Sequence, residues 1–199
     1  NTPKCLLNVG GKPIIHYQLD ALENLGIKDI VMIVGYHREM LMSHLADNYP
    51  QLNFDFIINH HYFETNTAYS IFIGREKLNT DYLLMNADVV YPKIMLQTIL
   101  ESKYETVLAV DIKSCGREEV KVIDGGNNTV VAIGKELIEN QCLGEFIGVA
   151  KLSKDFVYLF SKSLNNLIKS GGQNDYFEAA IQPLLDEISV KYIDVSKFH

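Results

Sequence analysis

Short apolar runs alternate with helix-period segments along most of this 199-residue chain, and that alternation limits the fold more than any other feature. Residues 29–35 (DIVMIVG) are apolar almost throughout, the pattern of a parallel strand covered on both faces. Residues 53–59 (NFDFIIN), 82–87 (YLLMNA) and 106–112 (TVLAVDI) read as further strands. Helical segments lie between them at 13–26, 38–49, 66–78 and 92–102. The first places Ile15, Leu19, Leu22 and Leu25 on one face and closes at Gly26. Successive strand–helix–strand units point to a doubly wound sheet, because parallel neighbours need a crossover to connect them.

From residue 118 the rhythm changes. Residues 120–123 and 130–133 flank Asp124-Gly125-Gly126-Asn127-Asn128, a turn composition suited to a hairpin. Residues 146–152 form one more strand, 153–170 a helix with Ser153 as its cap, 175–186 another helix, and 190–195 a last strand. The expected architecture is one α/β domain over residues 1–199. Its core is a Rossmann-like, doubly wound, mostly parallel mixed sheet with helices on both faces and a β-hairpin arm.

Charge and composition exclude several classes of partner. A net charge of −7 without a basic run argues against duplex nucleic acid, which needs clustered Lys and Arg. No apolar run approaches the roughly 20 residues of a membrane span, so no membrane partner is expected. The three cysteines (Cys5, Cys115, Cys142) are far apart and odd in number. They suggest neither a disulfide framework nor a zinc site, and fit a cytoplasmic protein. His60 and His61 are neighbours on an extended segment, so their rings would point to opposite faces and not form a ligand pair.

One residue stands out for chemistry. The strand at 82–87 delivers Asp88 to its carboxyl end, with a helix starting just beyond. In an open α/β sheet that edge is where ligands bind. A carboxylate there can hold a divalent metal against a phosphate, although Asp88 taken alone fits a strand-end cap equally well. Near the start, Gly10-Gly11-Lys12 looks like the end of a phosphate-binding loop. Pro13 takes the place of its Ser/Thr and Leu6 that of its first Gly, so the match to a Walker ATPase fails.

The run PKCLLNVGGKPIIHYQLDALENLGI resembles the nucleotidyltransferase (NTP transferase) superfamily, whose pattern there is PK-x-L-L-x-V-x-GKP-L-I-x-Y-Q-I-x-x-L-x-x-x-G-I. Residues 59–70 (NHHYFETNTAYS), 86–90 (NADVV), 144–153 (GEFIGVAKLS) and 175–180 (DYFEAA) resemble, in order, further segments of its phosphocholine cytidylyltransferase-like branch. The resemblance implies transfer of a nucleoside monophosphate, with CTP the expected donor, to a small phosphorylated acceptor such as choline phosphate. It implies catalytic roles for Lys4 and Asp88, the latter as ligand of Mg²⁺. Lys4, Asn66, Thr67, Ser70 and Ala87 would meet the nucleotide, and Lys121, Glu145, Asp175 and Tyr176 the acceptor. Lys12 and Lys135 are weaker candidates for the acceptor phosphate. The superfamily's glycine-rich loop would precede Asn1 and its second metal-binding aspartate would follow His199, so the chain resembles a catalytic core trimmed at both ends.

Two readings compete with this one. A hexose-1-phosphate uridylyl- or thymidylyltransferase would usually show a G-L-A-Q-A run near residue 66, and none is present. A non-catalytic nucleotide-sensing domain gains slight support from Ala87, where many relatives carry Gly. The sequence leaves a homodimer open as the assembly.

Overall fold

The structure, a computed structural model, describes residues 2–198. In chain order its elements are β1 (Asn8–Val9), β2 (Lys12–Pro13), α1 (Ile14–Asn24), β3 (Asp29–Val34), α2 (Arg38–Asn48), β4 (Asn53–Ile58), α3 (Thr67–Gly74) and β5 (Tyr82–Met85). There follow α4 (Lys93–Leu100), β6 (Val107–Asp111), β7 (Lys121–Asp124), β8 (Val130–Gly134), β9 (Gly144–Leu152), α5 (Lys154–Lys169), α6 (Glu178–Ile181) and β10 (Lys191–Asp194). The chain divides into two compact units, one of residues 2–64 and 86–97, the other of 65–85 and 98–198.

In the first unit β3 and β4 pair in parallel from Asp29↔Asn53 to Val34↔Ile58. α1 buries Ile15, Gln18, Leu19, Ala21 and Leu22, a stripe at helical spacing. It ends where the sequence says it should. Ile27 N–H donates to Leu22 C=O and Gly26 N–H to Glu23 C=O, a Schellman motif that needs the left-handed backbone of Gly26 (φ 79°). Ahead of α1, β1 and β2 form a small hairpin through Gly10 and Gly11, both at positive φ. The Gly-Gly-Lys run is therefore a hairpin turn, and Lys12 is spent on an ion pair with Asp20 at 2.7 Å.

The second unit is organised by β9, which is buried along most of its length. β6 flanks it on one side, and β5 and β7 share the other, all three antiparallel to it. β10 extends β6 in parallel and β8 completes the hairpin arm with β7. The parallel pairs are thus β3–β4 and β6–β10 within an otherwise antiparallel, mixed arrangement. The nine residues of β9 pair with β7 at Gly144 and Glu145 and with β5 from Val149 to Leu152. Between those two stretches Gly148 takes a positive φ (79°), and the register against β6 shifts between Leu108 and Val110 as at a β-bulge. α5 buries Phe156, Val157, Phe160, Leu164 and Ile168, and the Ser153 side chain accepts from Phe156 N–H at its start.

Two features differ from expectation. The sheet expected to be mostly parallel is mixed with antiparallel pairs in the majority, because β9 runs antiparallel to its three neighbours. One helix is also shorter. The helix expected over 175–186 is only α6, flanked by single 3-10 turns at Gly172–Asn174 and Gln182–Leu184. Pro183 cannot donate to the residue four before it, so the α pattern ends at Ile181. Asp175 and Tyr176 accordingly lie in an extended link before the helix.

Candidate functional site

The candidate residues fall into two groups, one in each unit. In the first unit, Lys4 opens a 3-10 turn (Lys4–Leu6) closed by Leu6 N–H to Pro3 C=O and Leu7 N–H to Lys4 C=O. Cys5 is buried in that turn while Lys4 points to solvent. Burial pushes the Cys5 thiol upward, and the negative charge of Asp88 adds to the shift. The 3-10 turn and Asp88 thus share one electrostatic neighbourhood.

Asp88 lies in the turn directly after β5, exposed together with Ala87. Its carboxylate enters no ion pair among the described residues. The turn around it is held from below. Gln18, only 3% exposed, donates from its single side-chain amide to Asn86 C=O at 2.8 Å and Val89 C=O at 2.5 Å. Tyr91 is buried as well, its hydroxyl within hydrogen-bond reach of Asn86 N–H. Desolvation and the charge of Asp88 hold that phenol far above its ordinary range.

In the second unit, the start of α3 is stitched to the link before α6. Asn66 caps α3, its Oδ1 accepting from Thr67 N–H at 2.8 Å. Asn66 N–H donates to Gln173 C=O at 2.9 Å, and Ala68 N–H to Asp175 C=O at 3.2 Å. Thr67 Oγ1 accepts from Phe177 N–H at 3.0 Å. Ser70 Oγ donates back to Asn66 C=O at 3.3 Å. Asn66, Thr67 and Ser70 are therefore brought beside Asp175 and Tyr176, although about 110 residues separate the segments.

Tyr176 is 42% exposed, and Lys135 Nζ lies 4.2 Å from its ring centroid, so one face already carries a cation. Beneath it Phe177 is buried edge-on against Phe146, with centroids 6.0 Å apart. Glu178 is buried too, and its Oε2 has no hydrogen-bond partner among the described residues. Burial pushes its carboxyl upward, opposed in part by Lys135. Glu145, at the start of β9, makes a 2.6 Å ion pair with Lys113, which also reaches Asp111 at 3.5 Å.

Lys121 requires a correction. Sequence placed it on the arm as an acceptor contact or a surface charge, but it is 1% exposed. Its ammonium donates to Arg117, Glu119 and Lys135 C=O, at 3.3, 3.3 and 2.6 Å. An ammonium has three protons, so none is left for a phosphate. Lys121 ties the 117–119 loop to β8's exit instead. Sequence reasoning passed over Lys113, the partner of Glu145, and Gln18. The signal for Gln18 was available, since it sits three residues from Ile15 on an otherwise apolar face.

Oxygen donors of the Asp88 kind are the ones a hard divalent cation such as Mg²⁺ takes. Asp88 offers carboxylate oxygen alone, and no group of three His, Cys, Asp or Glu that could hold a metal occurs among the described residues. Mg²⁺ takes one or two carboxylates and completes its shell with water and substrate phosphate. No described helix is long and apolar enough to cross a membrane.

Comparison with known proteins identifies the family and the fold. The family described as MobA-like NTP transferase domain matches residues 1–144. A CTP:phosphoglutamine cytidylyltransferase of Campylobacter jejuni is 25% identical over 207 residues, covering 93% of this chain and 81% of that protein. A choline-phosphate cytidylyltransferase of Streptococcus pneumoniae is 32% identical over 111 residues, or 56% of this chain and 47% of that one. Among solved structures, the CTP:phosphocholine cytidylyltransferase of Streptococcus pneumoniae superposes with a TM-score of 0.74 at 22% identity. That superposition covers 98% of this chain and 81% of the other, and it shows a shared fold.

Proposed function

The chain belongs to the MobA-like NTP transferase family, and from that premise we propose that it transfers CMP from CTP to the phosphate of a small acceptor, releasing pyrophosphate. Choline phosphate is the leading acceptor. An acceptor phosphate oxygen attacks the α-phosphorus, a new P–O bond forms, and the bond to pyrophosphate breaks in line with it. Such a transfer needs little covalent help from the protein, and asks instead for positioning and for positive charge near the phosphate oxygens.

One observation carries the reading: an exposed aspartate, without an ion pair among the described residues, on a turn whose flanking carbonyls are fixed by a buried amide. Asp88 is the residue that would hold Mg²⁺. When bound, the ion would offset the charge of the reacting phosphates and act as a template. Lys4, exposed at the 3-10 turn ahead of β1, would supply a compact positive charge for the triphosphate. Ala87 places main chain next to Asp88, where its small side chain leaves room for a phosphate.

Asn66, Thr67 and Ser70 form the nucleoside side. Their hydrogen bonds to one another and to 173–177 tie the start of α3 to that link as a rim. Asp175, Tyr176 and Glu145 form the acceptor side. An acidic-aromatic set suits a quaternary ammonium, and Tyr176 already receives one cation on its ring. Names of similar proteins support CTP as donor, while their acceptors differ from each other.

The test is pyrophosphate release by the full-length protein with Mg²⁺ and a panel of substrates. Donors are CTP, UTP and dTTP. Acceptors are choline phosphate, ethanolamine phosphate, an aminoalkylphosphonate and glucose 1-phosphate. The expected result is release with CTP and choline phosphate. Release only with UTP or dTTP and glucose 1-phosphate would overturn both donor and acceptor. CTP binding with no release from any pair would overturn the enzymatic reading.

A further inference from the structure

Resting on that reading, we propose that Gln18 is the positioning residue for Asp88. A buried side-chain amide costs free energy unless its polar atoms are bonded. At position 18, on the apolar stripe of α1, a leucine or methionine would pack without that cost. Both protons of Gln18 Nε2 go to main-chain carbonyls, those of Asn86 and Val89. These carbonyls lie two residues before Asp88 and one after it. A single nitrogen therefore closes the turn on both sides of the aspartate and fixes where its Cα sits.

The turn gains this rigidity without using the Asp88 side chain. A carboxylate that helped to hold its own loop, by capping or by an ion pair, would be less available to a cation. Here the holding is done from helix α1 by a neutral amide, which adds no charge to compete with phosphate or metal. Tyr91 supports the same turn through Asn86 N–H. Gln18 reaches the turn on both sides of Asp88 from one nitrogen.

The experiment compares wild type, Gln18→Met, Gln18→Asn and the core control Leu19→Ala in the full-length protein. Methionine keeps the length and loses both donors; asparagine keeps them one carbon too short. Three quantities are read: amide hydrogen exchange over residues 86–90, Mn²⁺ affinity by electron paramagnetic resonance with CTP present, and the metal dependence of pyrophosphate release. For Gln18→Met, exchange over 86–90 should rise at least about tenfold, Mn²⁺ affinity should fall about tenfold, and kcat should fall about 10- to 100-fold, the scale of a 1 Å misplacement. KM for CTP should stay within about twofold, since α3 is untouched. Gln18→Asn should lie between Gln18→Met and wild type. Leu19→Ala should lower the melting temperature at least as much and leave the metal dependence as in wild type.

The inference is overturned if Gln18→Met loses stability while exchange over 86–90 and Mn²⁺ affinity stay at wild-type values. It is equally overturned if Leu19→Ala shifts both readouts as far as Gln18→Met does. A different failure would touch the metal reading itself: Asp88→Asn leaving Mn²⁺ affinity unchanged. Hydrogen exchange would still decide whether Gln18 fixes the turn.

Discussion

The turn at Asp88 and the rim formed by α3 with the 173–177 link make opposite use of polar side chains. In the turn the candidate carboxylate enters no ion pair among the described residues, and main-chain groups are held by Gln18 and Tyr91 from within the unit. In the rim the side chains with candidate roles hold the structure themselves: Asn66 caps a helix and Thr67 accepts from Phe177. Lys121 and Glu145, near the hairpin arm, are likewise engaged with protein groups. Changes at the turn should therefore alter rate at nearly constant stability. Changes at the rim should alter stability first and specificity second.

The largest expected effect sharpens that contrast. Asp88→Asn should lower kcat about 10³-fold, roughly 4 kcal/mol of transition-state stabilisation, with a melting temperature close to wild type. Paired activity and thermal-melt measurements check it. Phe177→Ala should do the reverse. Its ring is buried edge-on against Phe146, and truncation should cost about 3 kcal/mol of stability by denaturant titration. Lys4→Ala should lower kcat/KM about 100-fold and leave stability alone, because the side chain is exposed. Were Lys4→Ala to unfold the protein, the contrast would break.

Smaller effects probe the rim. Asn66→Ala removes a cap and should cost about 1 kcal/mol, with a rise in KM for CTP larger than its change in kcat. Glu178 gives a pH dependence. Its carboxyl is raised by burial, so between its unfolded and folded pKa values the folded state binds the proton and the unfolded state does not. Its contribution to stability is thus favourable at low pH and is lost as pH rises through the folded value. Glu178→Gln should raise the melting temperature at pH 7 and leave it nearly unchanged at pH 4. A variant less stable than wild type at pH 7 would mean that the ionised carboxylate is satisfied.

Much of this was legible in the residues. Period and composition placed β3, β4, β6, the hairpin arm and α5 to within a residue or two, since each is a continuous apolar run, a turn-flanked pair or a stripe at helical spacing. The segment after residue 175 was misjudged because its acidic and apolar residues keep a helical period, while Pro183 and the link to α3 stop the helix. Lys121 was misread for a different reason. A lysine opening a strand reads as solvated, and only the return of Arg117, Glu119 and Lys135 to one point makes a buried ammonium tolerable. Asp88 was visible as a strand-end carboxylate, but what fixes its turn was not. Gln18 lies about 70 residues away in the chain, and pattern reading takes one segment at a time.

The central claim is that the free carboxylate of Asp88 is where the cation and the phosphates meet. Mn²⁺ titration of wild type and Asp88→Asn with saturating CTP, read by electron paramagnetic resonance, tests it most directly. The account predicts at least about a tenfold weaker Mn²⁺ affinity in the variant, on the scale of a lost metal-site interaction, with CTP still bound. Equal Mn²⁺ affinity in the two proteins would contradict it.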